Sequence, residues 1–173
     1  MLVADAALDV VAAQGMKGLT HRAVDAASGS PAGTTSNYFR TRAALVEAAV
    51  DRLEERDLEL WAADREAPPP VGPDALAERL AGYLAILAGD QAHLTRARLA
   101  LSLADSDSVA AGHARFMAVA RGMVEASGID DAERRARWVA DYCDGVLLHH
   151  VTARRDETPD VSATAAAIRR LLT

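Results

Sequence analysis

The sequence has one cysteine, Cys143, which excludes an internal disulfide framework and any zinc site built on several thiolates. Its neighbours Tyr142 and Val146 are apolar, so this thiol is expected to be buried and to behave as a small hydrophobe. No window approaches the ~20 continuous apolar residues of a membrane span. The first fifteen residues, MLVADAALDVVAAQG, have neither a basic start nor the sustained apolar stretch of a secretory signal. A protein without a membrane partner, residing in the cytoplasm, is therefore expected. Only seven of the 173 residues are aromatic, so the usual strand-forming vocabulary is thin. Glycine-rich phosphate loops, nucleophile elbows and the HExxH zinc motif are all missing. The densest group of chemically useful side chains is Asp141, Cys143, Asp144, His149 and His150. Adjacent helical residues diverge by about 100°, which keeps His149 and His150 from sharing one metal ion. Neither an enzyme nor a bound metal or cofactor is expected.

What the chain does have is alanine, 39 residues of it, within an apolar fraction of one half. Alanine is the best helix former, and hydrophobic spacing of three and four recurs along almost the whole length, so the fold class is all-α. Val3, Ala7, Val10 and Val11 outline a first helix that stops at Gly15. Thr20 stands where an N-cap belongs, before the short helix HRAVDAAS with Ala23, Val24 and Ala27 inward. The turn Gly29-Ser30-Pro31 leads into a second short helix, AGTTSNYF. Thr41 can cap a long helix from about Arg42 to Asp64, with Leu45, Ala49, Leu53, Leu60 and Trp61 near one stripe. Residues 67–73, APPPVGP, form a loop between helices. Further helices are expected at about 74–89, 92–104, 108–127, 131–154 and 160–172, giving about nine in all.

The net charge of −6 is unevenly distributed. Residues 1–42 carry four Lys or Arg and three Asp, a balance of +1, which leaves −7 for the remainder. Between residues 17 and 42 the cations Lys17, Arg22, Arg40 and Arg42 face Asp25 alone. An acidic body thus carries a weakly basic head, and the pairing favours a docked anion at the head over indiscriminate attraction along the surface.

Two short helices joined by a glycine turn are also the geometry that places the second in a DNA major groove. The run Leu19-Thr20-His21-Arg22-Ala23-Val24, then Ser28-Gly29-Ser30-Pro31-Ala32-Gly33-Thr34-Thr35-Ser36-Asn37-Tyr38-Phe39-Arg40-Thr41-Arg42, then Leu45, resembles the DNA-binding domain of the tetracycline-repressor (TetR) family. Five positions depart from that family's commonest pattern. Asp25 stands at a small-Ala position, Ser30-Pro31 replaces Val-Ser, Ser36 replaces Tyr, and Arg42 replaces Lys.

The resemblance implies an N-terminal three-helix DNA-binding domain with a helix-turn-helix, residues 1–46, and a C-terminal helical bundle for effector binding and dimerisation, residues 47–173. It implies a transcriptional regulator that binds double-stranded operator DNA, probes it as a homodimer, and as a repressor leaves a palindromic operator when a small-molecule effector binds. The DNA-binding residues carried over are Thr20, His21, Arg22, Gly33, Thr34, Thr35, Ser36, Asn37, Tyr38 and Arg42. Effector-pocket candidates are Trp61, Leu87, Leu99, Leu103, Phe116, Met117, Met123 and Tyr142, with Arg98 among possible polar anchors. The dimer interface would use Trp138, Tyr142, Gly145, Val146, His149, Ile168 and Leu172. A second reading is a helical ligand-binding or protein-interaction module with a degenerate DNA-binding head.

Overall fold

The computed structural model describes residues 2–63, 68–104 and 106–173, and the side chains of these except at 61–63 and 106–112. Among the described residues there are nine helices and no strand, as the alanine bias and periodicity require. They are α1 (Leu2–Gly18), α2 (His21–Ala27), α3 (Thr34–Tyr38), α4 (Arg42–Ala63), α5 (Gly72–Ala88), α6 (Ala92–Ala104), α7 (Ser106–Ala126), α8 (Ala132–His150) and α9 (Val161–Leu172). The chain divides into two compact units: Met1–Glu66 with His93–Ala111, and Ala67–Ala92 with Gly112–Thr173.

In the first unit, α1 packs on α2 and α4, and α2 packs on α3. Leu8, Val11, Leu19, Val24, Leu45 and Leu101 are almost fully enclosed in one apolar cluster. Gly15 breaks the helical path as expected, with φ 67° and ψ −177°, yet the helical turns resume and α1 runs on to Gly18. A polar tie reinforces the α1–α4 seam. Buried Arg52 donates to Asp5 at 2.9 Å, to Glu55 at 2.8 Å and to Glu59 at 3.1 Å, and Arg56 reaches the same Asp5 oxygen at 3.1 Å. These anions, Asp5 first, strengthen the hold of Arg52 on its proton. On α4, Asp57 pairs with Arg98 of α6. Burial of Asp57 outweighs that cation and raises the carboxyl above its ordinary range.

In the second unit, α5 lies along α9 and both meet α8. Residues one or two turns apart supply the buried seam: Leu76, Leu84, Val139, Leu147, Ile168 and Leu172. Pro73 occupies the first turn of α5, where its missing N–H has no helical partner to lose. Gly72 N–H donates to Ser127 O at 2.9 Å and Ser127 Oγ donates to Pro70 O at 3.1 Å, which fixes the entry to α5 against the end of α7. Asp160 caps α9 by accepting from Ala163 N–H at 2.9 Å. Helix α8 ends at His150, four residues earlier than expected, and turns carry the chain to Asp160.

Candidate nucleic-acid interface

The head is assembled from local hydrogen bonds. Thr20 Oγ1 accepts from Ala23 N–H at 3.1 Å and caps α2 as its sequence position predicts. Val24 is fully buried, Ala23 is partly so, and Ala27 is exposed instead of inward. The turn passes through Gly29 at φ 65° and Gly33 at φ 92°, conformations that residues with a Cβ adopt only with strain. Thr41 Oγ1 then accepts from Ala44 N–H at 3.1 Å and starts α4.

Asp25 is the residue whose role the sequence alone did not disclose. Its carboxylate is 5% exposed and accepts three hydrogen bonds. They come from Gly33 N–H at 2.7 Å, Thr35 N–H at 2.7 Å and the Thr35 hydroxyl at 2.6 Å. The Thr35 hydroxyl, then its N–H, holds the Asp25 carboxyl below the usual carboxylate range despite burial. The signal that could have exposed it was the joint appearance of Asp25 and Thr35 as polar residues at inward positions of two adjoining short helices.

The same geometry sorts the ten expected DNA-binding residues. Arg22, Ser36, Asn37, Tyr38 and Arg42 are exposed, Tyr38 at 73%. Thr20 is exposed beside its cap, and Thr34 and Gly33 are half-buried at the start of α3. Thr34 Oγ1 donates to Pro31 O at 2.7 Å and Ser36 Oγ to Gly33 O at 2.9 Å, leaving their lone pairs available to a donor. Arg42 donates to Met16 O at 2.7 Å. Thr35 is a correction: it is completely buried because Asp25 draws both its N–H and its hydroxyl inward. His21 is half-buried, and its Nε2–H donates to Phe39 O at 2.6 Å, which binds it to the end of α3. The four cations at 17, 22, 40 and 42 are all exposed while the single acid between them is enclosed, so the head presents positive charge outward.

Elsewhere the expected groups separate. Of the pocket candidates, Leu87 is buried, and Leu99, Met117, Met123 and Tyr142 are half-buried. Leu103 is 90% exposed because α6 turns Leu94, Ala97 and Leu101 inward, and a residue two beyond Leu101 points about 200° away. Phe116 is also exposed, at 45%. The Trp61 side chain lies outside the described residues. Leu99 and Leu103 belong to the first unit, while Leu87, Phe116, Met117, Met123 and Tyr142 belong to the second.

Of the dimer candidates, Tyr142, Gly145, Val146 and His149 line one partly open groove of about 470 Å³ on α8 and α9, together with His150 and Arg154. Trp138 is exposed nearby on α8, with the Arg134 guanidinium 5.8 Å from its ring centre. Ile168 and Leu172 are corrections: they are 0% and 2% exposed, since the stripe of α9 that carries them faces the protomer's own core. Cys143 is half-buried, and burial with Asp144 alongside pushes its thiol up to about 12, so it stays protonated at neutral pH.

A helix-turn-helix head on an all-helical body defines a class of transcription regulators. The chain carries that assignment further, because residues 71–173 match the family model described as the tetracyclin repressor-like C-terminal domain, and it belongs to the TetR family. No curated protein matches it. Among solved structures, a TetR family member from Streptomyces coelicolor A3 is 26% identical with a TM-score of 0.79, covering 99% of this chain and 96% of that one. The multidrug binding protein EbrR complexed with ethidium is 26% identical with a TM-score of 0.73, covering 98% and 95%. The transcriptional regulator FadR from Bacillus subtilis in complex with stearoyl-CoA shares the fold at 17% identity, with a TM-score of 0.78 over 99% and 96% of the two chains. No helix of the described residues is long and apolar enough to cross a membrane.

Proposed function

We propose that this chain is a repressor that binds a palindromic operator in double-stranded DNA as a homodimer and leaves it when a small-molecule effector binds. The observation that carries this reading is the sorting of charge and polarity at the head. Exposed Arg22, Asn37, Tyr38 and Arg42 surround α2 and α3, and the one acid among them is buried and already hydrogen-bonded. Arg22 suits bidentate contact with guanine O6/N7 or with a phosphate, and Asn37 suits adenine N6/N7. At the start of α3, Gly33 brings Thr34 and Ser36 close to the groove, where their hydroxyl lone pairs suit base amino groups such as adenine N6 or cytosine N4, and Arg42 and Thr20 act on the backbone.

Function divides at about residue 46, with DNA reading before it and effector binding and dimerisation after it. Two heads must stand about one helical turn apart, ~34–36 Å, to meet two half-sites. The second copy docks on the α8 face of Trp138, Tyr142, Gly145, Val146 and His149, whose partial exposure supports that role. The multidrug binding relative complexed with ethidium supports a small organic effector. Leu87, Met117, Met123 and Tyr142 are the side chains put forward for contact with it. Release requires the effector to bind the DNA-incompetent arrangement more tightly, and DNA then weakens effector binding by the same factor. The protein works in the cytoplasm and by binding rather than by catalysis.

Selection of bound duplexes from random-sequence DNA tests this function. A palindrome with half-sites one turn apart is expected, with log affinity falling against log salt by about 0.9 per phosphate contacted. Recovery of no preferred sequence, or binding indifferent to salt, overturns the reading.

A further inference from the structure

Helix α3 is five residues long, too short to persist without tertiary support, and it has no side-chain cap of its own. Its single fully buried side chain is Thr35, which is polar, and the apolar contact at this helix comes from its C-cap Phe39, partly buried against the core. Hydrogen bonds from α2 hold it at both ends as well. Asp25 takes the N–H groups of Gly33 and Thr35 and the Thr35 hydroxyl at the start, and His21 Nε2–H takes Phe39 O just beyond the finish. His21 and Asp25 are four residues apart on α2 and therefore on one face. Hydrogen bonds are directional and fix rotation as well as distance, whereas an apolar contact tolerates sliding.

We infer that His21 and Asp25 are positioning residues for DNA recognition: a two-point clamp on α2 sets the height and rotation of α3, so that Asn37 and Tyr38 reach base edges in register. His21 then works through Phe39 rather than by contacting DNA itself. This rests on the proposed reading of α3 as the helix that enters the groove. Contacts from Arg22 and Arg42 to phosphate do not depend on the rotation of α3, so the clamp governs discrimination between sequences more than attraction to DNA in general.

The test compares binding of the selected operator and of a scrambled duplex at fixed salt, with circular dichroism reporting the folded fraction. Asp25→Ala combined with Thr35→Val removes the carboxylate together with the hydroxyl it holds, so that only the N–H groups of Gly33 and Thr35 lose their acceptor. This double variant and His21→Leu are each expected to stay folded, to lose about tenfold in operator affinity, and to bind the scrambled duplex as the unaltered protein does. His21→Gln, whose amide can still donate to Phe39 O, is expected within about twofold of the unaltered protein. Where one of the two altered clamps fails to fold, the other decides. Unchanged operator affinity in a folded clamp variant, or equal loss on both duplexes, overturns the inference and leaves the DNA-binding reading standing. Failure of the unaltered protein to select any sequence overturns both.

Discussion

The head and the α5–α9 seam solve the same problem, the placing of a short helix, by opposite means. Helix α9 is twelve residues long and amphipathic, and it is held by Ile168 and Leu172, both almost fully buried against its own unit. Helix α3 has five residues, turns Thr35 inward where α9 turns isoleucine, and is tied through Asp25 and His21. A helix with two or three turns can bury enough apolar surface to choose its own docking face. One with little more than a single turn cannot, and directional bonds from a neighbour must do it. The contrast also separates tasks. The apolar seam sets stability, while the clamp sets the direction in which Asn37 and Tyr38 point.

The largest expected effect falls on the seam. Ile168→Ala should lower the unfolding free energy by about 2–5 kcal/mol, read from chemical denaturation. A loss below about 1 kcal/mol would mean that the site closes over the cavity and that α9 is not anchored there. Next is the exposed face of the head. Arg22→Ala should weaken operator binding by about 1–3 kcal/mol if the guanidinium reads a base, in a gel-shift assay at fixed salt, with the denaturation midpoint unmoved. Unchanged affinity would remove Arg22 from the interface.

The smallest effect is confined to acid. The Asp25 carboxyl lies below its ordinary value of 3.8 in the fold, so the unfolded chain takes up this proton first as pH falls. Its contribution is fully present above the unfolded value and is lost as pH drops through the lower folded value. The unaltered protein should lose stability more steeply than Asp25→Asn only below about pH 4. A difference in slope at neutral pH would contradict the assignment.

Much of this was legible along the chain because it depends on neighbours in sequence. The Thr20 and Thr41 caps and the Gly15 break are decided within three or four residues, whereas Gly72 and Pro73, expected in the loop, open α5 instead. The helix-turn-helix run was legible for the same reason, since its glycines and cap answer to local backbone geometry. Leu103 and Phe116 were not: each is apolar and at helical spacing, and periodicity does not say which of several apolar stripes a bundle will cover. Ile168 and Leu172 show the reverse ambiguity, because an apolar stripe that could face a second copy is instead filled by the protomer's own α5.

The sequence by itself determined an all-helical fold with a basic head on an acidic body, since propensity, caps, turn glycines and charge are properties of composition and short spacing. Tertiary structure alone decided that Asp25 lies inside and not on the basic face, that Thr35 turns away from it, and that His21 grips Phe39. Those outcomes join residues 8 to 18 positions apart in the chain. A carboxylate finds such donors only after two helices have docked, when burial has removed the water that would otherwise have satisfied it.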